Sequence, residues 1–352
     1  MQKSWILYII TGFLVTFAQA EMRDADAAMR SFDESFEKWE QRFTYTQDEA
    51  TRIKLLEVRP NPRRTTQIIL KSIGTQLNEP NAMRAISWIY RNDANYLKEA
   101  ESIEAGKAVR SALIRSHYDR AGAGDLCITI SQNFSPQDLP FLEKVAKQSP
   151  TKEEQGMASL ALSIALSQLG DDPTLLAKRL EHLRTAIKTA PEDAEINGKK
   201  VTDIIGDQLY VIQYLSKGRK APNFSGKSIG GDPVSLATST GKVTAIAFWT
   251  EQDGKHDSWI SILQNMQKVC DQAGAKMIGV YTGTPANLRQ KIADREVTWE
   301  NAYDQDEVIS KQFRINRTPT VFLLDKEGRI QTVGEPNALI NLSIQALADS
   351  SE

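Results

Sequence analysis

The sequence predicts a two-domain α+β chain: an all-α helical N-terminal domain followed by a C-terminal α/β domain. Over residues 21–217, apolar residues recur at helical spacing between Pro and Gly signals. From 218 onward, short buried runs alternate with helical stretches, the pattern of a mixed sheet with crossover helices. The length, 352 residues, suits about two domains of ordinary size.

The first twenty residues read as a secretory signal. Lys3 supplies the positive start, Trp5 to Phe17 is an apolar run, and Ala18-Gln19-Ala20 has the small-residue form of a cleavage site. The run is short for a membrane span, which takes about 20 apolar residues. No cysteine follows it to carry a lipid. The expected segments are therefore a signal peptide, 1–20, a helical domain, 21–217, and a second domain, 218–352. The expected location is exported, in the periplasm or cell envelope. An uncleaved signal segment is the other reading, and the only route to a membrane that the sequence offers.

In the helical domain, Met22 to Glu57 reads as one long charged helix that Pro60-Asn61-Pro62 ends. Helices follow over Thr65–Leu77 and Asn81–Ala105. In the latter, Ile86, Ile89 and Tyr90 share a face, and Gly106 interrupts the run. Lys107–Arg120 is another helix, broken by Ala121-Gly122-Ala123-Gly124. Ser135 before Pro136 is a good start for a helix to Gln148. Helices over 152–169 and 174–190 flank the turn Leu169-Gly170-Asp171-Asp172-Pro173. Ala158, Ala161, Ala165 and Ala186 give this pair a loose likeness to a tetratricopeptide-type (TPR-like) hairpin. No fixed period extends it, so an irregular helical bundle is the plainer expectation. A last helix, Gly206–Lys217, leads to the boundary.

In the second domain, Pro233–Leu236 suits an edge strand, and Val243–Trp249 and Ala275–Tyr281 suit buried strands. Helices are expected over Ser258–Ala273, Pro285–Arg295 and Asp306–Phe313, with a short extended link at Trp299–Tyr303. Thr320–Asp325 and Arg329–Val333 flank the turn Lys326-Glu327-Gly328 as a hairpin. Asn337–Asp349 closes the chain as a helix.

Charge is balanced, with 43 Lys and Arg against 45 Asp and Glu, so no basic surplus points to nucleic acid. There are two cysteines, Cys127 and Cys270. They lie in different domains and form no C-x-x-C pair. Burial as small apolar residues is their expected fate.

Four motifs in order carry a resemblance: Gly218-Arg219-Lys220-Ala221-Pro222-Asn223-Phe224, Gly241-Lys242-Val243 with Ala247-Phe248-Trp249, Arg317-Thr318-Pro319-Thr320, and Asp325-Lys326-Glu327-Gly328-Arg329-Ile330. They resemble, respectively, the G-x-x-A-P-x-F lead-in, the G-K-V…F-W strand, the T-P-T and the D-x-x-G-x-I hairpin of the thioredoxin-like TlpA/ResA group, in the redoxin/AhpC-TSA superfamily. With its helical N-terminal half, the chain is similar to exported redoxin-domain proteins of planctomycete-like bacteria. The resemblance implies a thioredoxin-like fold over about 217–352 and a cis-proline at Pro319 opposite the active-site loop. It also implies dithiol chemistry, which needs a thiolate at a helix N-terminus and a resolving thiol three residues later.

This chain departs from the pattern where the chemistry resides. After Trp249 comes Thr250-Glu251-Gln252-Asp253-Gly254-Lys255-His256-Asp257. Asp253 and His256 occupy the two thiol positions. Cys270 lies fourteen residues beyond His256, about 20 Å along a helix, and is no displaced nucleophile. No catalytic residue is therefore assigned. The bland reading of Asp253 and His256 is a helix cap and a first-turn residue. A metal site would need a third ligand, and the other histidines, His117 and His182, belong to the helical domain. No metal or other cofactor is expected. The candidate binding residues are Trp249, Asp253, His256, Thr318 and Pro319. Main chain beside a cis-proline can pair with an extended peptide, although the turn can equally serve the fold alone.

The expected function is an exported, non-enzymatic module. It would bind a protein or peptide at the Pro319 groove or on the helical domain, or serve as a structural part. The alternative is a thiol-disulfide oxidoreductase or peroxidase working through Cys127 or Cys270. A weaker third reading is a helical adaptor capped by the thioredoxin-like part.

Overall fold

The computed structural model describes residues 3–46, 48–170, 172–250 and 256–350. The chain divides into two compact units, Met1–Ile205 and Gly206–Glu352. Among the described residues no helix is long and apolar enough to cross a membrane.

The first unit is helical. Helix α1 runs Lys3–Tyr45 and α2 Glu49–Glu57, so the single helix expected over Met22–Glu57 is two. Local polar groups account for the break. Thr46 returns its hydroxyl to the Arg42 carbonyl, and Asp48 caps α2 by accepting from the Thr51 amide. Ala25, Met29 and Phe32 are buried at helical spacing on α1. The Trp39 indole donates to the Leu55 carbonyl of α2 at 2.6 Å.

Helices α3 (Arg63–Ile73) and α4 (Ala82–Asp93) follow, then two 3-10 turns, Ala94–Lys98 and Ala100–Ser102, and α5 (Ile103–Ala112). The helix expected over Asn81–Ala105 is thus interrupted at 94–102, and Gly106 lies inside α5. A side chain at Gly106 would overlap the Leu97 carbonyl, so glycine there admits the turn against the helix. Arg63 holds the turns from outside, paired with Asp93 at 3.2 Å and Glu99 at 2.6 Å and set over the Tyr96 ring.

A π-helical turn, Leu113–His117, precedes α6 (Ala123–Gln132). Most of α6 is buried, which leaves no amphipathic period to mark it in the sequence. A 3-10 turn, Pro136–Asp138, opens α7 (Leu139–Gln148), followed by α8 (Lys152–Ser167) and α9 (Pro173–Thr189). Gly156, near the start of α8, lies against the backbone of Ala190 at the end of α9. The two helices therefore form an antiparallel hairpin whose close approach requires glycine. A small hairpin, β1 (Glu195–Ile196) and β2 (Lys199–Lys200), turns at Asn197-Gly198 with both φ angles positive.

The core of this unit contains one charged knot. Asp138 accepts from Arg110 Nε and the Tyr90 hydroxyl, both at 2.8 Å, and from the Ser135 amide at 3.0 Å. Three donors satisfy a carboxylate that is otherwise expensive to bury. Nearby, Glu154 accepts from the amides of Gly122 and Gly124 at the start of α6.

Helix α10 (Val201–Tyr210) passes into the second unit and continues as a π-helical turn, Val211–Leu215. Strands β3 (Ser225–Lys227) and β4 (Pro233–Ser235) pair antiparallel. Then come β5 (Thr244–Trp249), α11 (His256–Gln272), β6 (Lys276–Tyr281), α12 (Pro285–Ala293), β7 (Glu300–Tyr303), α13 (Val308–Gln312), β8 (Thr320–Leu324), β9 (Ile330–Gly334) and α14 (Ala338–Asp349). The link expected at Trp299–Tyr303 is a paired strand.

The five-stranded sheet has the order β7-β6-β5-β8-β9. Strands β7, β6 and β5 are parallel, and β8 and β9 antiparallel to their neighbours. Both faces are covered, so β5 is apolar at every position except Thr244. Ala245, Ala247 and Trp249 face Leu263, Met266 and Cys270 of α11 and Ile340 and Ile344 of α14. Ile246 and Phe248 face Phe313, Phe322 and Phe224.

Two predictions follow from this packing. His117 is fully buried, with Nε2 2.7 Å from the Leu77 carbonyl. Burial lowers its pKa below the ordinary value, as it does for His182. A histidine whose pKa folding lowers takes up a proton more readily in the unfolded chain than in the folded one. Its contribution is complete above the unfolded pKa near 6.5 and is lost as pH falls through that value toward the folded one. The urea midpoint of the first unit should drop between about pH 7.5 and 5.5, and His117→Gln should flatten that dependence. In the second unit, a Cβ on Gly279 of β6 would overlap the Asn301 side chain, whereas Gly334 of β9 has open space. Gly279→Ala should cost about 1–3 kcal/mol or more in urea unfolding, with Gly334→Ala close to neutral.

Candidate binding site

Open α/β sheets place their sites beyond the carboxyl ends of the parallel strands. Here that end is Trp249 of β5 and Tyr281 of β6, which pair in register. Strand β8 runs the other way, so its beginning reaches the same end: Phe248 pairs with Thr320. Thr318 and Pro319 immediately precede that pair, and the peptide bond between them is cis. The register therefore brings Trp249, Thr318 and Pro319 to one end of the sheet.

The individual residues take different positions there. Trp249 is 3% exposed and belongs to the core. Its indole N–H donates to Asn301 Oδ1 at 2.9 Å, and Asn301 donates in turn to the Trp299 carbonyl at 2.8 Å. The rings of Tyr281 and Trp299 stand 4.6 Å and 5.8 Å from that of Trp249. Pro319 is buried and Thr318 half-buried. Main-chain pairing of β8 starts only at Thr320, and among the described residues no hydrogen bond uses the main chain of Thr318. Asp253 lies outside the described residues. His256 begins α11, and its side chain lies outside what is described. Trp259 is half-buried on that helix.

Sequence reasoning misses Asn301 and Gly279. They form one feature: Asn301 lies across Gly279, which lets its amide reach Trp249. A lone Asn in a short strand carries no periodic signal. Its meaning appears only when β6 and β7 pair Gly279 with Asn301. Thr250, directly after Trp249, is also new. Its hydroxyl is buried and has no partner among the described residues.

The thiols are elsewhere. Both are free and fully buried. Cys270 sits in the core beneath α11, and burial, with Asp271 beside it, pushes its pKa up to about 12. Burial also raises Cys127 well above the ordinary thiol value. Thiolate is the reactive form, and burial disfavours it at both positions. Among the described residues no group of three or more His, Cys, Asp or Glu could hold a metal ion. An aromatic disulfide reagent at pH 8 should label neither cysteine in the native chain and both in denaturant; labelling of Cys270 under native conditions would contradict its position in the core.

Residues 217–333 match the AhpC/TSA family. The chain is 22% identical over 135 residues to the thiol-disulfide oxidoreductase ResA of Geobacillus kaustophilus, covering 37% of this chain and 78% of that protein. Among solved structures, it is similar to the thioredoxin domain of a thiol-disulfide oxidoreductase from Bacteroides vulgatus, at 20% identity and a TM-score of 0.35, covering 38% of this chain and 98% of that one. A thioredoxin-family thiol:disulfide interchange protein from Chlorobium tepidum gives 22% identity and a TM-score of 0.34, covering 38% and 98%. Taken with the strand order described above, the family match makes residues 217–333 a redoxin domain of the AhpC/TSA family with a thioredoxin-like fold.

Proposed function

We propose that this redoxin domain has given up dithiol exchange and serves as a binding module for an extended polypeptide, in an exported protein. The carrying observation is the position of the thiols. The chain has two cysteines, and the one in this domain is buried under α11 with its pKa pushed up to about 12. The loop after Trp249 offers Asp253 and His256 where an exchange couple would need thiols, and neither can form a mixed disulfide. What remains at this end of the sheet is main chain. The Arg317–Thr318 segment precedes the paired part of β8, and an incoming strand can hydrogen-bond to such an edge without side-chain chemistry. The N-terminal Lys3, the apolar run to Phe17 and Ala18-Gln19-Ala20 support export.

A second reading, thiol-disulfide exchange, is favoured by the similarity to ResA. It would require Cys270 or Cys127 to become accessible. Insulin reduction by dithiothreitol separates the two. The natural chain should give the uncatalysed rate, and the Asp253→Cys/His256→Cys variant should accelerate it. Activity in the natural chain that is lost in Cys270→Ser or Cys127→Ser would establish the oxidoreductase instead.

A further inference from the structure

The opposite end of the same sheet has a different character. The turn between β8 and β9 lies beyond Leu324, which pairs with Thr244 at the start of β5. Three stretches of main chain meet there. Gly218 and Ala221 donate to the carbonyls of Ile330 and Gly328, and Lys220 bridges Arg329. Gly241 donates to the Lys326 carbonyl at 3.1 Å. These bonds gather Lys217, Arg219, Lys220, Lys242, Lys326 and Arg329 on one edge. All but the half-buried Lys326 are exposed.

Among the described residues none of the six forms an ion pair. The neighbouring carboxylates are committed or outnumbered. Asp325 accepts from the amides of Glu327 and Arg329 and from the Gln331 side chain, leaving Glu327 as the other anion in the turn. Six cations against two anions is a local surplus in a chain whose overall charge is −2. Arg329 donates to the Gly218 carbonyl at 3.1 Å, but holding like charges together without opposite charges is unfavourable by itself, and a facing anionic surface relieves it.

We propose that this basic end docks on an anionic lipid surface, with the Thr318 end of the sheet held away from it. Two features favour a lipid surface over a single anion or an acidic protein. The cations are spread along three backbone segments, which suits an array of headgroups. Tyr214, three residues before Lys217, is 47% exposed, with its ring 4.9 Å from that of Tyr210 and tilted 46° to it. An aromatic ring with a polar tip beside a polybasic run is a combination found at membrane–water interfaces. The inference rests on charge placement and is independent of whether the other end binds peptide.

Vesicle co-sedimentation of the full chain tests it. Phosphatidylcholine vesicles set the baseline contributed by apolar surfaces. Vesicles with roughly one third phosphatidylglycerol should bind at least about tenfold more, and the excess should vanish as salt rises from about 0.1 to 0.5 M. Lys217→Gln/Arg219→Gln/Lys220→Gln should abolish the excess. The matched Lys178→Gln/Arg184→Gln/Lys188→Gln, on exposed positions of α9, should retain it. The proposal is overturned if the natural chain shows no anionic preference, if the first variant keeps it, or if both variants lose it equally. Capture by polyglutamate without vesicle binding would assign the surface to an acidic protein instead. Should the triple variant fail to fold, Lys220→Gln and Lys242→Gln made singly should each lower the excess, and unchanged binding in both overturns the proposal.

Discussion

The arrangement of the second unit depends on β5 being buried on both faces and paired on both sides. A strand without a solvent face must be apolar throughout, and its two side-chain rows must fill two different cores. Ala245, Ala247 and Trp249 supply one row, Ile246 and Phe248 the other. A slip of one residue would exchange the rows and drive Trp249 into the space that Phe248 shares with Phe313 and Phe322. The register is therefore strongly specified, and with it the end of the sheet. Because β6 is parallel and β8 antiparallel to β5, one register places Trp249 beside Thr318 and Thr244 beside the β8–β9 turn. Both the candidate groove and the basic edge descend from that single constraint.

The Trp249–Asn301–Gly279 arrangement ties the site end to the core. A buried indole N–H needs an acceptor, and a buried amide left unpaired costs about 1–3 kcal/mol. Asn301 meets both needs by lying across a residue without a side chain. Trp249 is thereby fixed as a wall of the core, with its polar edge turned inward to β7. Under the proposed binding reading, what the end of the sheet offers is main chain at Thr318. That places the binding reading on backbone geometry and leaves aromatic recognition by Trp249 without support.

Much of this was legible in the sequence, for physical reasons that also explain what was not. Continuous apolar runs with Gly or Pro shortly before them mark β5, β6 and β8, and crossover helices followed by a hairpin mark the sheet as mixed. The motifs at Gly218, Trp249, Pro319 and Asp325 place the ends. Tertiary contacts override local pattern elsewhere. The apparent helix over 81–105 gives way to 3-10 turns because Arg63 gathers Asp93, Glu99 and Tyr96. Gly106, which looks like a breaker, is instead a close-contact residue inside α5. Helix α6 leaves no amphipathic mark because it is buried nearly all round. Asn301, Gly279 and the Asp138–Arg110–Tyr90 knot are pairings across long sequence separations, and single-residue patterns carry no trace of them.

Cys270 does not stand where this scaffold would favour thiol exchange. Exchange needs a thiolate that is accessible and electrostatically favoured, and a helix N-terminus at the end of a sheet supplies that setting. The fold retains the setting here: α11 begins at His256, beyond the end of β5. The thiol has no place in it, because Cys270 lies well down the same helix, facing Met266 and the sheet, where desolvation favours the protonated form. The sheet needs the helix, the turn before β8 and the buried Trp249 in order to fold, so none of them requires redox chemistry to persist.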